Sequence, residues 1–218
     1  MADEAQHPIL ELIHRRASAE DFHGERSLDE DEIRELVRDA TRAPSSFNIQ
    51  HWRFVAVRHP RDKERLKQAA YGQDQVARAA VTFIILGDTA AGEKLPSIME
   101  RAVERGAMPE GKAAAWIRMA EQIYGDEPTA RDEAIRSASL AAMTMMLAAE
   151  ARGLAAGALT GFDPERVRDE FGIDRRYVPV MLLAVGHPKG KTVSRMPRLD
   201  VDEVLAFDRW PIRPRETS

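Results

Sequence analysis

The sequence predicts an α+β domain, with helical patterns interleaved among four strand-like runs over one core. Three observations carry this reading. Val81-Thr82-Phe83-Ile84-Ile85-Leu86 is a near-continuous apolar run, the pattern of a central strand covered on both faces. Trp52, Phe54, Val55 and Val57 make a second strand, entered through a polar loop. Thr129 to Arg152 is the longest helical pattern, and its centre from Ala138 to Ala149 is apolar or small nearly all round. Such a helix is buried on more than one side, and an oligomer interface is a natural cover for it.

Taken in order, Pro8 to Arg16 reads as a first helix, with Ile9, Leu12 and Ile13 on one face. It runs into Arg15-Arg16-Ala17-Ser18. Two arginines beside a serine suit a phosphate, and arginines ending a helix also simply complement its dipole. Asp29 is placed to cap a second helix, with Glu32 completing a capping box, Leu28 stapling to Ile33, and Ile33, Leu36, Val37 and Ala40 as the buried stripe. That helix closes near Thr41 to Pro44, because the residue before a proline is pushed out of the α region. Ser45, Ser46, Asn48 and Gln50 follow as a cluster of donors and acceptors held by the Trp52 strand. A polar loop on a rigid strand is a common ligand site, although a serine-rich turn can also satisfy only its own backbone.

His59-Pro60 turns the chain into a short helix, Arg61 to Ala70, and Tyr71 to Gln75 follows as a polar knot around Gly72. After the central strand, Ala90 to Tyr124 is an irregular helical excursion dotted with Met99, Val103, Trp116, Ile117, Met119 and Ile123. It forms core, or it covers a ligand or a partner subunit. Gly153 ends the long helix as a C′ glycine, and Ala155 to Thr160 is a short strand with Gly161 open to close backbone approach. Asp163 caps a helix with Pro164 at its first position, ending at Phe171-Gly172. Tyr177 to Val185 is the last strand; a basic stretch (Lys189, Lys191, Arg195, Arg198), a brief element at Val201 to Phe207 and an extended arm at about 207–218 complete one domain of 1–218.

The formal net charge of −4, with both signs interspersed, argues against a nucleic-acid binder. With no cysteine there are no disulfides, thiolate metal sites or cysteine nucleophiles. The acidic start MADEAQHPIL lacks the pattern of a signal peptide, and Val81 to Leu86 is far too short to span a membrane. The expectation is a cytoplasmic protein without membrane or nucleic-acid partners. The six histidines are scattered without metal-ligand spacing, and there is no G-x-G-x-x-G, P-loop or G-x-S-x-G. A chain without a strong nucleophile or metal site points to a cofactor that carries the chemistry.

In this order the pieces resemble the FMN-dependent nitroreductase family over nearly the whole chain. They are Arg16-x-Ser18 with Phe22 behind it, Ala43-Pro44-Ser45-Ser46-x-Asn48-x-Gln50-x-Trp52, Gly72-Gln73-Asp74-Gln75, Leu159-Thr160-Gly161-Phe162-Asp163-Pro164, Val185 to Pro188, and Arg198. The resemblance implies a mixed, mainly antiparallel sheet flanked by helices in an intertwined homodimer, with FMN at the subunit interface. It implies that Arg16, Ser18 and Arg198, helped by Arg15 and Arg195, hold the phosphate and ribityl chain. Pro44, Ser45, Ser46 and Asn48, with Gln50 in the same motif, would come from the other subunit. Gln73 and Gln75 would reach the polar edge of the ring, and Leu159, Thr160 and Gly161 would lie near N5. Phe47 and Trp116 would shape the substrate pocket. The implied activity is hydride transfer from NADH or NADPH through FMN to nitroaromatics, quinones or similar small oxidants in a ping-pong cycle. A flavin-binding sensor or carrier with little turnover, and a helical interaction protein with a purely structural loop, are the alternatives. Two positions depart from the family pattern: Glu20 stands where many members carry Lys or Arg, and Gln75 where some carry lysine. Without those cations the reduced, negatively charged flavin is less favoured and its potential is expected to be lower.

Overall fold

The computed structural model describes residues 7–190 and 196–209. Lys191, Arg195 and the arm beyond Arg209 lie outside the described residues. The helices are α1 (Pro8–Arg15), α2 (Glu30–Ala40), α3 (Pro60–Ala69), α4 (Asp74–Arg78), α5 (Leu95–Glu104), α6 (Glu110–Tyr124), α7 (Glu127–Ala151), α8 (Pro164–Phe171) and α9 (Val201–Val204). The strands are β1 (Trp52–Val57), β2 (Val81–Asp88), β3 (Ala155–Leu159) and β4 (Tyr177–Gly186). Short 3-10 turns at Ser46–Asn48 and Ala91–Lys94 complete the set.

The helix ends follow their capping chemistry. The Asp29 side chain accepts from Glu32 N–H while Glu32 returns a bond to the Asp29 N–H, a complete capping box. Asp163 accepts from the N–H groups of Glu165 and Arg166 at the start of α8, and Gly172 closes that helix in the left-handed region. The excursion from Ala90 to Tyr124 resolves into α5 and α6, which share a small core of Ile49, Leu95, Met99, Ala113 and Ala120. Two expectations need correction. The polar knot at Tyr71 to Gln75 turns into a helix: Tyr71 and Gly72 are left-handed, Gln73 is the N-cap of α4, and Asp74 and Gln75 are already its first turn. The brief element at Val201 ends at Val204, because Leu205 is already extended.

The four strands pair antiparallel in the order β1-β2-β4-β3. An isolated parallel bridge joins Ser18 to Ala156 on the outer edge of β3. β2 is buried along its whole length, as its apolar run predicts. Its side chains alternate between two cores. Val81, Phe83 and Ile85 face α2 and α7, while Ile84 and Leu86 face Leu66 of α3, Val76 of α4 and Val167 of α8. The sheet is thus the middle of three layers. The register slips between Ile85 and Leu86, where Met181 and Pro179 are the successive partners on β4. Pro179 has no N–H to give the ladder, and a bulge accommodates it. The inner end of β2 is tied by Asp88, fully buried, whose carboxylate takes Arg53 Nη2 at 2.8 Å and Arg176 Nη2 at 2.8 Å. Among the described residues, no helix is long and apolar enough to cross a membrane.

Candidate functional site

One group of candidate residues gathers over β3. The chain leaving α1 crosses the strand edge, where Ala19 N–H donates to Ala156 O at 3.0 Å. This crossing depends on Gly157: a Cβ there would stand 2.2 Å from Ala19 O. Ser18 is thereby held beside a cavity of about 380 Å³ lined also by Arg15, Glu20, Glu150 and Lys189. Arg15 is turned toward α7, its Nε 2.9 Å from Glu150 Oε1, while Arg16 is half-buried.

At the far end of β3, Gln73 Nε2 donates to Gly161 O at 2.7 Å and to Ala70 O at 3.0 Å. Both amide hydrogens of Gln73 are thereby spent, one holding the Thr160-Gly161 turn and one anchoring Gln73 to Ala70, and Gln75 Nε2 lies 3.5 Å from Gln73 Oε1. Gly161 is exposed, and among the described residues its N–H meets no protein acceptor. A Cβ on Gly161 would meet only Gln73 Nε2, at 3.5 Å, so the tight backbone approach on this strand is at Gly157. Arg198 stands in the exposed stretch 196–200 and donates to Met196 O. Arg195 lies outside the described residues.

A second group forms on the loop that enters β1. Pro44 and Asn48 are exposed, with Ser45, Ser46, Phe47 and Gln50 half-buried between them. Phe47, Asn48 and Gln50 all sit at positive φ (51°, 56° and 59°). Left-handed backbone costs a residue with a side chain about 1–2 kcal/mol, so a loop with three such residues has to be held from outside. Ser45 Oγ accepts from Gln50 N–H at 2.9 Å, and the Tyr124 hydroxyl, at the end of α6, donates to Ser46 Oγ at 2.6 Å. Phe47 is wedged edge-on against Trp116 at 5.5 Å and Tyr124 at 6.2 Å. Beneath the loop His51 is buried beside Tyr124, its Nδ1 3.3 Å from Ser137 Oγ, which donates to Glu133 Oε1 at 2.7 Å. Burial pushes the His51 pKa down, against the opposing pull of Glu133 and Asp88. A larger cavity, about 600 Å³, lies between Leu95 and Ile117 and reaches this group at Tyr124.

The register brings the Thr160–Gly161 turn toward the end of the sheet where the second group lies, while Ser18, bridged to Ala156, stands level with Val185 and Val81 at the other end. Leu159 pairs with Leu182, which pairs with Ile84 and then Val55, so the chain beyond β3 runs toward the level where Trp52 begins β1. The two groups stand on opposite edges, three strand spacings or roughly 14 Å apart. Gly157 and Tyr124 were not among the predicted site residues. A glycine inside a five-residue strand was a legible hint of close approach. Nothing local links Tyr124 to Ser46, which are 78 positions apart.

The fold is a three-layer α+β arrangement whose candidate site residues are divided between two edges of the sheet. The chain belongs to the Nitroreductase family, whose family model matches residues 13–187. It is 34% identical over 177 residues to YodC of Bacillus subtilis (strain 168), named as an NAD(P)H nitroreductase, covering 81% of this chain and 88% of YodC. It is 28% identical to the CLA biosynthesis enone reductase of Lactiplantibacillus plantarum, covering 82% of this chain and 84% of that protein. A protein of Exiguobacterium sibiricum 255-15 solved in complex with FMN superposes with a TM-score of 0.85 at 27% identity, over 92% of this chain and 97% of that one.

Proposed function

We propose that this chain is an FMN-dependent NAD(P)H oxidoreductase that works as a two-fold homodimer and reduces nitroaromatics, quinones or similar small oxidants in a ping-pong cycle. One observation carries the reading: the two groups of motif residues lie on opposite edges of the sheet, each an incomplete lining. A second copy brings the missing half to each. The dimer also covers exposed apolar residues on three neighbouring helices, among them Ile9 and Ile13 of α1, Met119 and Ile123 of α6, and Leu140 and Met143 of α7.

The residues present fit FMN chemically. Arg16 and Ser18, with Arg15 and Lys189 beside them, supply cation and hydroxyl donors for a phosphate, and Arg198 is a further candidate cation for it. The N–H of Gly161, with the Leu159-Thr160 backbone before it, is an unspent donor at an exposed turn. Gln73, its own NH₂ committed inside the chain, keeps Oε1 as an acceptor for the polar edge of the ring, with Gln75 as a donor beside it. Pro44, Ser45, Ser46, Asn48 and Gln50 line the site from the second copy, and Phe47 and Trp116 bound the space left for substrate. When bound, FMN supplies the two-electron chemistry. The chain's residues hold the nucleotide, orient it and shape the space in which donor and oxidant take turns.

The deciding measurement is an absorption spectrum of the purified protein under anaerobic conditions, before and after adding NADPH or NADH. A flavin spectrum that bleaches supports the reading, and reoxidation by a nitroaromatic, a quinone and an enone then ranks the oxidants. Bound flavin that neither nucleotide bleaches favours a sensor or carrier. A colourless protein that ignores added FMN refutes both.

A further inference from the structure

Tyr124 is the point at which the helical excursion grips the loop that carries Ser45 to Gln50. Its hydroxyl donates to Ser46 Oγ, and its ring meets both Phe47 and His51 edge-on. Burial raises the Tyr124 pKa against the opposing pull of the Ser46 hydroxyl, so the phenol keeps its proton and is able to donate. A serine hydroxyl has one proton to give and two lone pairs to receive. With a lone pair occupied by Tyr124, the Ser46 proton is left for another acceptor, and among the described residues no other side chain or backbone group takes it. Ser45 is arranged alike, its oxygen accepting from the Gln50 backbone. The two hydroxyls thus have their oxygens engaged by protein and their protons unspent, on a loop whose left-handed backbone has to be held from outside.

We infer that Tyr124 is a positioning residue that sets the Ser46 hydroxyl as a hydrogen-bond donor to the bound flavin nucleotide. This rests on the FMN reading above. The phenol also polarises the hydroxyl it bonds, so that Ser46 donates more strongly than an unassisted serine. The excursion thereby acts on cofactor binding through one oxygen, in addition to any part it has in shaping the substrate space.

The test is FMN titration of the full-length protein stripped of flavin, followed by fluorescence quenching, for wild type, Tyr124→Phe, Ser46→Ala and the double variant. Tyr124→Phe keeps the ring contacts with Phe47 and His51 and removes only the hydroxyl. Each single variant is expected to weaken FMN binding about five- to tenfold, the worth of one hydrogen bond. The double variant is expected to bind no more weakly than Ser46→Ala, because the phenol acts only through Ser46. A merely structural role for Tyr124 would instead weaken binding in the Ser46→Ala background as well. Additive losses, or wild-type affinity in Tyr124→Phe, overturn the inference while leaving the FMN reading intact. Failure of the wild-type protein to bind FMN at all overturns both.

Discussion

Replacing Gly157 with alanine tests how the Arg16–Ser18 segment is held. The added Cβ would stand 2.2 Å from Ala19 O. Even weak C–H···O contacts sit at about 3.3 Å or beyond, so the shortfall is about 1 Å. Gly157 is buried and paired to Ala184 within the sheet, so the segment at Ala17–Glu20 is the part that yields. Moving it breaks the Ala19 N–H bond to Ala156 O, about 1 kcal/mol net. Overpacking adds about 1–3 kcal/mol. The sum, about 2–4 kcal/mol, lowers the melting temperature by about 4–16 °C in a domain of this size. Differential scanning fluorimetry without added flavin measures it, and FMN titration of the same sample reads the displacement of Ser18. Gly111→Ala is the control, since a Cβ there meets nothing within 4 Å. A Gly157→Ala protein that melts within about 2 °C of wild type and retains FMN equally would refute the reasoning.

Further outcomes follow from other parts of the molecule. Arg16→Ala weakens FMN retention by about ten- to a hundredfold, the range for a hydrogen bond to a charged group; unchanged affinity by titration removes Arg16 from the phosphate site. Burial lowers the pKa of both His51 and His187 below 6.5, so the unfolded chain takes up protons first as pH falls. Stability is therefore full above about pH 6.5 and declines below it, and His51→Gln flattens part of that slope in urea titrations between pH 5 and pH 7. Asp88→Asn leaves Arg53 and Arg176 without their shared counter-charge and costs about 3 kcal/mol by denaturant unfolding. Leu140→Glu with Met143→Glu yields a monomer in light scattering; a dimer that survives both charges places the interface elsewhere.

Much of the scaffold was legible because its signals are local. The Asp29–Glu32 capping box, the Asp163-Pro164 start and the near-continuously apolar β2 each sit within a few residues and appear as predicted. The start of α7 was misplaced by two residues although Asp126, its cap, and the proline after Glu127 announced it. Helix α4 was hidden by its five-residue length, too short for a periodic pattern. The motif residues were found as a sequence, but their division between two sheet edges is set by strand order. The left-handed backbone at Phe47, Asn48 and Gln50 falls on no glycine, so composition gave no warning. The Tyr124–Ser46 and Gln73–Gly161 bonds depend on tertiary packing, which no local pattern encodes.

The crossing of β3 by the segment after α1 has a consequence beyond ligand binding. β3 is an outer strand, and a bare outer strand offers its unpaired amides and carbonyls to any similar strand on another molecule. Ala19 occupies Ala156 O, and Ser18 lies along the same margin. The stretch that bears Arg16 and Ser18, proposed for the phosphate site, therefore also shields the sheet from self-association. Substitutions that loosen that stretch are expected to surface first as aggregation during expression, before any loss of turnover is measured.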